Sequence, residues 1–500
     1  MNVEALAAAL ALIADWKVLL GVIGGVGVGM IVGITPGLTG VMAVALVLPF
    51  TFFLDSTTSI AILLGIYVTS LYGGSVTAIM IATPGTPNAA ATLLDGYPMT
   101  RQGRGREALQ MALYASLTGG IISTVVALLI FPVVAGFALQ FGPPQMFALI
   151  LFSITIIAGV SGASLIKGFI AAVLGFLVAT IGQDVIHGSS RFAFGSSELL
   201  AGLHILPVMI GLFTIPEIVI RCVESRGAKA QVFEGNLGPG LTLKQYLAQW
   251  ATFVRSSCIG SLLGALPGIG GSPAAFLSYF MAQRFDRHPE RFGKGAIEGV
   301  AAAESGNNSV CGPALVPMMS LGIPGDTTTA VIMGALIIHG LAPGPTLFTF
   351  QPEFVYMVFL LLFVCLVVMV PFGMMAVRFA GLVIKVRPQV LFPVVLVFAA
   401  FGAYAIRNSP ADVVSMFAVG GLGFFMRIQG VPAAPFAIAF ILGPLLEENF
   451  RRSMLMSHGS PAIFVESGLT LTFLFLAVLS AVATVVAQRR LKIFASLTSG

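Results

Sequence analysis

Apolar runs bounded by charges or by Gly/Pro pairs follow one another along almost the whole chain. They fall near 18–34, 38–54, 58–82, 107–138, 145–160, 167–181 and 200–221. After a polar segment at 222–246 they resume near 247–266, 272–283, 296–342, 354–376, 391–406, 411–426, 432–447 and 467–487. Runs such as 354–376 and 467–487 are continuous and lack the alternation of a membrane β-strand. The pattern predicts helices. A hydrocarbon core about 30 Å thick takes roughly 20 apolar residues per helix. The expected class is an all-α polytopic membrane protein of about 12 transmembrane helices.

Composition agrees and excludes the soluble classes. Only 9% of the 500 residues are charged and 57% are hydrophobic, against about 25% charged in a soluble domain. Too few charges are present to cover a soluble enzyme, a nucleic-acid binder or a disordered scaffold. The formal charge of +5 reads as loop lysine and arginine facing the cytoplasm. The four cysteines are scattered, the five histidines dispersed, and no HExxH or Walker stretch occurs, so no catalytic or cofactor role is expected. Met1 to Ala14 is apolar but carries Glu4 and no basic segment, so a cleaved signal peptide is not expected.

Three matches in the same order relate the two halves. Gly33-Ile34-Thr35-Pro36-Gly37-Leu38-Thr39-Gly40 matches Gly264-Ala265-Leu266-Pro267-Gly268-Ile269-Gly270-Gly271. Ala82-Thr83-Pro84-Gly85-Thr86-Pro87-Asn88 matches Gly322-Ile323-Pro324-Gly325-Asp326-Thr327-Thr328. Pro207 with Pro216 matches Pro435 with Pro444. The expected organisation is a first membrane repeat at 1–221, a cytoplasmic linker at 222–246 and a second repeat at 247–448. Residues 449–500 supply an outer loop, a final transmembrane helix and a cytoplasmic tail. Basic clusters at Arg101 to Arg106, Arg221 to Lys229, Lys244 with Arg255, Arg284 to Lys294, Arg378 to Arg387, and Arg489 to Lys492 are assigned to the cytoplasm. Glu4 with Asp15, Asp55, Asp184 to Glu198, and Glu447 to Arg452 are then outside. The repeats therefore have opposite topology, with Lys17, Arg407 and Arg451-Arg452 as the awkward residues. Inverted repeats with interrupted helices point to a secondary transporter.

Proline lacks an N–H and glycine adopts positive φ, so a Pro-Gly pair inside an apolar run breaks the helix. Broken backbone at membrane depth is tolerated only inside protein or around a wet cavity. Breaks at 36–37, 84–85, 267–268 and 324–325 predict re-entrant hairpins whose half-helix N-termini attract anions. For a single break, a kink serving helix packing is the competing reading. The candidate substrate-binding residues are Thr35, Gly37 and Thr39; Thr83, Gly85, Thr86 and Asn88; Gly268, Gly270 and Ser272; Asn307 and Asn308; and Gly325, Thr327 and Thr328. Asp326 and Glu304 are the candidate ion-coupling residues, with sodium expected at Asp326. Aspartate also suits a helix N-cap, a role compatible with coupling. Lys167 and Asp184 read as interfacial snorkellers. No lysine or arginine stands between Lys17 and Arg101 or between Lys294 and Arg378, so an anion there must be held by amides and hydroxyls. An intramembrane aspartyl protease lacks its second aspartate. The same pattern is compatible with a passive channel or with a stand-alone symporter that needs no binding protein.

On these residues the chain resembles the large membrane subunit of the tripartite tricarboxylate transporters, the TctA family. The resemblance rests on Gly33 to Leu38, Gly73-Gly74-Ser75 through Ala82 to Pro87 and on to Asp95-Gly96-Tyr97-Pro98, Pro267 to Gly270, and Asn307-Asn308 through Leu321 to Gly325. It implies a multi-pass protein of the bacterial inner membrane that moves an organic di- or tricarboxylate. It also implies a small TctB-like membrane subunit, a TctC-like periplasmic substrate-binding protein, and Na+ or H+ coupling in place of ATP. Membrane lipid is a partner and nucleic acid is not.

Overall fold

The computed structural model describes residues 3–35, 37–160, 164–184, 188–224, 237–383 and 388–498. Pro36, Arg226, Lys229, Lys385 and Arg387 lie outside the described residues. The helices used below are, in chain order, α1 (Trp16–Ile34), α2 (Gly40–Thr51), α3 (Ser56–Ile81), α4 (Ala90–Arg101), α5 (Gly105–Ala138), α6 (Pro143–Val160), α7 (Leu165–Ala179), α8 (Ile205–Glu224), α9 (Trp250–Gly264) and α10 (Gly271–Phe285). They continue with α11 (Ile297–Asn308), α12 (Cys311–Leu321), α13 (Thr327–Ile338), α14 (Pro352–Val383), α15 (Pro388–Ala405), α16 (Pro410–Ile428), α17 (Ala433–Met456) and α18 (Gly468–Thr498).

Among the described residues, seven helices are long and apolar enough to cross a membrane: α1, α3, α5, α14, α16, α17 and α18. Other apolar helices, including α2, α7 and α13, run to 10–17 residues. The Gly/Pro breaks cut the apolar runs into these shorter pieces, so that the single run at 296–342 becomes α11, α12 and α13. The protein is thus a multi-pass, mostly helical membrane protein. Its chain forms two compact units, each drawn from both halves of the sequence. One comprises Met1–Ala135, Glu217–Leu266 and Gly270–Gly402; the other comprises Gly136–Pro216, Pro267–Ile269 and Ala403–Gly500.

In the first unit α3 is buried almost throughout, as expected of a helix apolar on every face. Asp55 caps its N-terminus by accepting from the Thr58 N–H at 2.8 Å. Burial raises the Asp55 carboxyl, but bonds from Thr57 and Thr58 outweigh this and hold it below its ordinary value. Gly21, Gly25, Gly29 and Gly33, spaced every four residues, lie against Thr58, Ile62, Ile66 and Gly73 of α3. Small residues at that spacing let two backbones meet. Contacts ascending in the same order on both helices mean that α1 and α3 run parallel. The chain between them, which carries α2, therefore runs back toward the start of α3.

A similar triple forms later in the same unit. Gly260 and Gly264 of α9 meet Gly306 and Val310, so α9 runs parallel to the α11–α12 segment, while α10 runs against α11 through Gly306 with Ser278 and Gly299 with Tyr279. The helix ends correspond too. The residues closing α3 and α12, Ala82 and Gly322, are both left-handed, at φ 56 and φ 70. The chain then doubles back, placing Gly85 against Gly74 and Gly325 against Ala314, eleven positions apart in both cases.

The second unit packs α7 on α6 and α17 through Gly168 at Ala158 and Gly175 at Phe436. Several of its described charges are paired. Asp184 accepts from Arg191 at 3.0 Å and Arg451 at 2.8 Å, and both arginines also reach Glu447. Asp184 is only 6% exposed, so it is a paired buried acid and not a snorkeller. Arg407 pairs with Asp412. Lys167 donates to the Gln429 carbonyl at the end of α16. Two of the cations that were awkward for the sidedness assignment, Arg407 and Arg451, are therefore neutralised by acids.

Candidate functional site

Half-helices begin after each of the four breaks, and their first turns differ in what caps them. Thr39 caps α2 by accepting from the Met42 N–H at 3.3 Å. Asp326 caps α13 in a reciprocal box with Thr329: Oδ1 accepts the Thr329 N–H at 2.7 Å, and the Asp326 N–H donates to Oγ1 at 2.8 Å. Gly270 before α10 and Thr86 before the Pro87–Ala89 turn supply no side-chain cap. Those N-termini keep backbone donors for a ligand.

Within the first unit, residues beside the first, second and fourth breaks and the start of α10 come together. A Cβ at Gly85 would stand 2.5 Å from the Gly33 carbonyl oxygen, which joins the first two breaks. Ser272 donates to Asn88 Oδ1 at 2.6 Å, which joins the second break to the start of α10. A Cβ at Gly270 would lie 3.8 Å from the Asp326 Cβ, which joins the start of α10 to the fourth break. Around this meeting point Thr39, Thr83, Asn88, Gly270, Ser272, Asp326 and Thr327 are partly exposed. Thr35, Gly37, Gly85, Thr86, Gly325 and Thr328 are buried behind them.

Asn307 stands at the centre. It is fully buried, and among the described residues neither its amide nitrogen nor its oxygen has a partner. A Cβ on Gly271, at the open N-terminus of α10, would lie 2.5 Å from Asn307 Oδ1 and 2.6 Å from Asn88 Nδ2. Only glycine there leaves the two amides room. Leaving a buried polar group unpaired costs roughly 1–3 kcal/mol, so an unpaired amide beside uncapped helix N–H groups marks a place that a ligand completes. Ala91, Ala275 and Ala303 form the adjoining core, and their small side chains bring α4, α10 and α11 close together.

The remaining candidates sit elsewhere. Gly268, at φ 80, belongs to the second unit and packs against Ile157. Thr35 bonds the Ile31 carbonyl of its own helix at 2.7 Å. Asn308 turns from Asn307 and donates to Ser116 Oγ at 2.8 Å. Glu304 accepts from Ser75, Thr92 and Ser116, and none of these residues is exposed.

Sequence reasoning missed Tyr67, which donates to Asp326 Oδ2 at 2.6 Å, and the three hydroxyls on Glu304. A serine or threonine in an apolar helix commonly bonds its own i−4 carbonyl, so residue type alone carried no signal. It also missed buried Asp95, which accepts from Tyr279 at 2.9 Å and from the Gly295 and Ala296 N–H groups at 2.8 Å. The motif Asp95 to Pro98 is thus an anchor for the start of α11.

Comparison with known proteins gives relatives of this chain and its family. The chain is 35% identical over 450 residues to a 52.8 kDa protein of the TAR-I ttuC' 3' region of Agrobacterium vitis, covering 90% of this chain and 89% of that one. It is 35% identical over 233 residues to a protein of the TAR-II ttuC' 3' region of the same organism, covering 47% of this chain and 96% of that one. No solved structure matches. The profile that spans the broken helices and the asparagine pair, residues 19–438, is that of the tripartite tricarboxylate transporter TctA family, and the chain belongs to it.

Proposed function

We propose that this protein is the large membrane subunit of a secondary transporter that carries an organic di- or tricarboxylate across the bacterial inner membrane. The observation that carries the reading is the unpaired, buried amide of Asn307 facing the uncapped start of α10 beside Asn88. Carboxylate oxygens would accept from the α10 N–H groups and the amides of Asn307 and Asn88, with Thr86, Ser272 and Thr327 beside them. No fixed cation stands on the segments that supply Asn88 and Asn307, so the empty site would not bury an unpaired lysine or arginine. Asp326 faces the same space and Glu304 lies behind it; these two acids are available to a coupling Na+ or H+.

The inverted-repeat reading, 1–221 against 247–448 about the linker 222–246, is supported by the two parallel triples and by the matched eleven-residue returns at Gly85 and Gly325. Each compact unit draws equivalent stretches from both halves, as expected if one part of each repeat moves against the rest. Membership of a tripartite family, and relatives from TAR ttuC' regions, support a small membrane subunit and a periplasmic binding protein as partners.

The test is carboxylate uptake into proteoliposomes holding both membrane subunits, with loaded binding protein outside and an imposed ion gradient. Gradient-driven uptake that Asp326→Asn abolishes in a folded protein is expected. Wild-type uptake in that variant removes Asp326 from the mechanism.

A further inference from the structure

We propose that Glu304 is the centre of an occluded site for a sodium-sized monovalent cation, distinct from Asp326 and built from five oxygen-bearing side chains. These are the Glu304 carboxylate, the hydroxyls of Ser75, Thr92 and Ser116, and the amide oxygen of Asn308. They come from four helices, α3, α4, α5 and α11, and all five residues are fully buried.

Three observations carry the assignment. The first is charge. No ion pair reaches Glu304 among the described residues, and its own segment has no lysine or arginine from Gly295 to Val377. The other buried acid nearby, Asp95, is already committed to Tyr279 and two backbone N–H groups. An isolated carboxylate in an apolar interior is strongly disfavoured unless something neutralises it. The second is the donor set. The side chains that bond the carboxylate are all hydroxyls, and oxygen donors suit a hard cation. A single negative charge matches a monovalent ion, whereas a divalent one would leave a net positive charge enclosed. The third is an unpaired acceptor. Asn308 Nδ2 donates to Ser116 Oγ at 2.8 Å, while Asn308 Oδ1 has no partner among the described residues although the residue is fully buried. A half-turn of the amide brings that oxygen to the Ser116 side, where a cation would use it.

When the cation binds, the hydroxyls present lone pairs to it and turn their protons toward backbone carbonyls one turn back, as serine and threonine do in helices. The site ties four helices together through one ion. It rests on the transport reading only in making that ion the coupling ion.

The test is thermal unfolding of the purified full-length protein in detergent, in NaCl against choline chloride at equal ionic strength. A ligand that binds only the folded state raises the midpoint by mass action. The wild type is expected to gain a few degrees, saturably, in NaCl. Glu304→Gln should lose the shift, and Glu448→Ala, at the Arg452 pair of the second unit, should keep it. Ser116→Ala and Thr92→Val should each demand about tenfold more Na+ for the half-maximal effect, which keeps the test decisive if Glu304→Gln does not fold. Identical midpoints in the two salts, or a full Na+ response in Ser116→Ala and Thr92→Val, overturns the site. A Na+ shift in a protein without carboxylate uptake would leave the cation site standing and remove the transport reading.

Discussion

The Tyr67 hydroxyl donates to Asp326 Oδ2 at 2.6 Å, across 259 positions of sequence, while Asp326 Oδ1 holds the first turn of α13. One carboxylate thus fixes the start of a half-helix and ties it to α3. Asparagine caps as well as aspartate, so Asp326→Asn should change stability by less than about 1 kcal/mol. Asp326→Ala loses the cap and strands the Tyr67 hydroxyl, and should cost about 2–4 kcal/mol. Unfolding in detergent measures both, and equal losses would show that the cap is not what Asp326 contributes to stability.

Gly271 leaves the space between Asn307 and Asn88. Gly271→Ala puts a methyl group into it, and overpacking of this kind costs about 1–3 kcal/mol. The variant should fold yet raise KM for carboxylate uptake at least about tenfold, because one such increment of binding energy is about 1.4 kcal/mol. An unchanged KM would place the substrate elsewhere.

The α1–α3 crossing offers an internal control. A Cβ at Gly33 would stand 2.8 Å from the Gly73 Cα, whereas one at Gly24 meets nothing within 4 Å. Gly33→Ala should destabilise by more than about 1 kcal/mol. Gly24→Ala should be neutral or stabilise by up to about 1 kcal/mol through helix propensity. Equal effects in unfolding curves would mean that the crossing is not close-packed.

Asp184 holds two arginines in the second unit, and its side chain is far less exposed than that of Glu448, which pairs with exposed Arg452. Removing the buried carboxylate leaves Arg191 and Arg451 to share Glu447, so Asp184→Ala should cost about 2 kcal/mol. Glu448→Ala should cost less than about 1 kcal/mol. Comparable losses in the two variants would contradict the burial assigned to Asp184.

The sequence by itself determined the class. So few charges among continuous apolar runs leave only membrane helices, and Pro-Gly pairs must break them because proline removes a donor and glycine leaves the helical region. The start of α2 at Thr39 and of α13 at Asp326 was legible for the same reason, since short oxygen-bearing side chains satisfy the first N–H groups. Tertiary structure decided which breaks face one another. Asn307 and Asn308 are adjacent and alike in sequence, yet successive helical residues point about 100° apart. One therefore looks unpaired toward Gly271 and the other toward Ser116. Glu304 and Asp326 are both acids in apolar stretches of the sequence, and only Asp326 follows a helix break. Only packing, by bringing Ser75, Thr92 and Ser116 from three helices to one carboxylate and Tyr67 to the other, made the first an enclosed oxygen cage and the second the partly exposed cap of a half-helix.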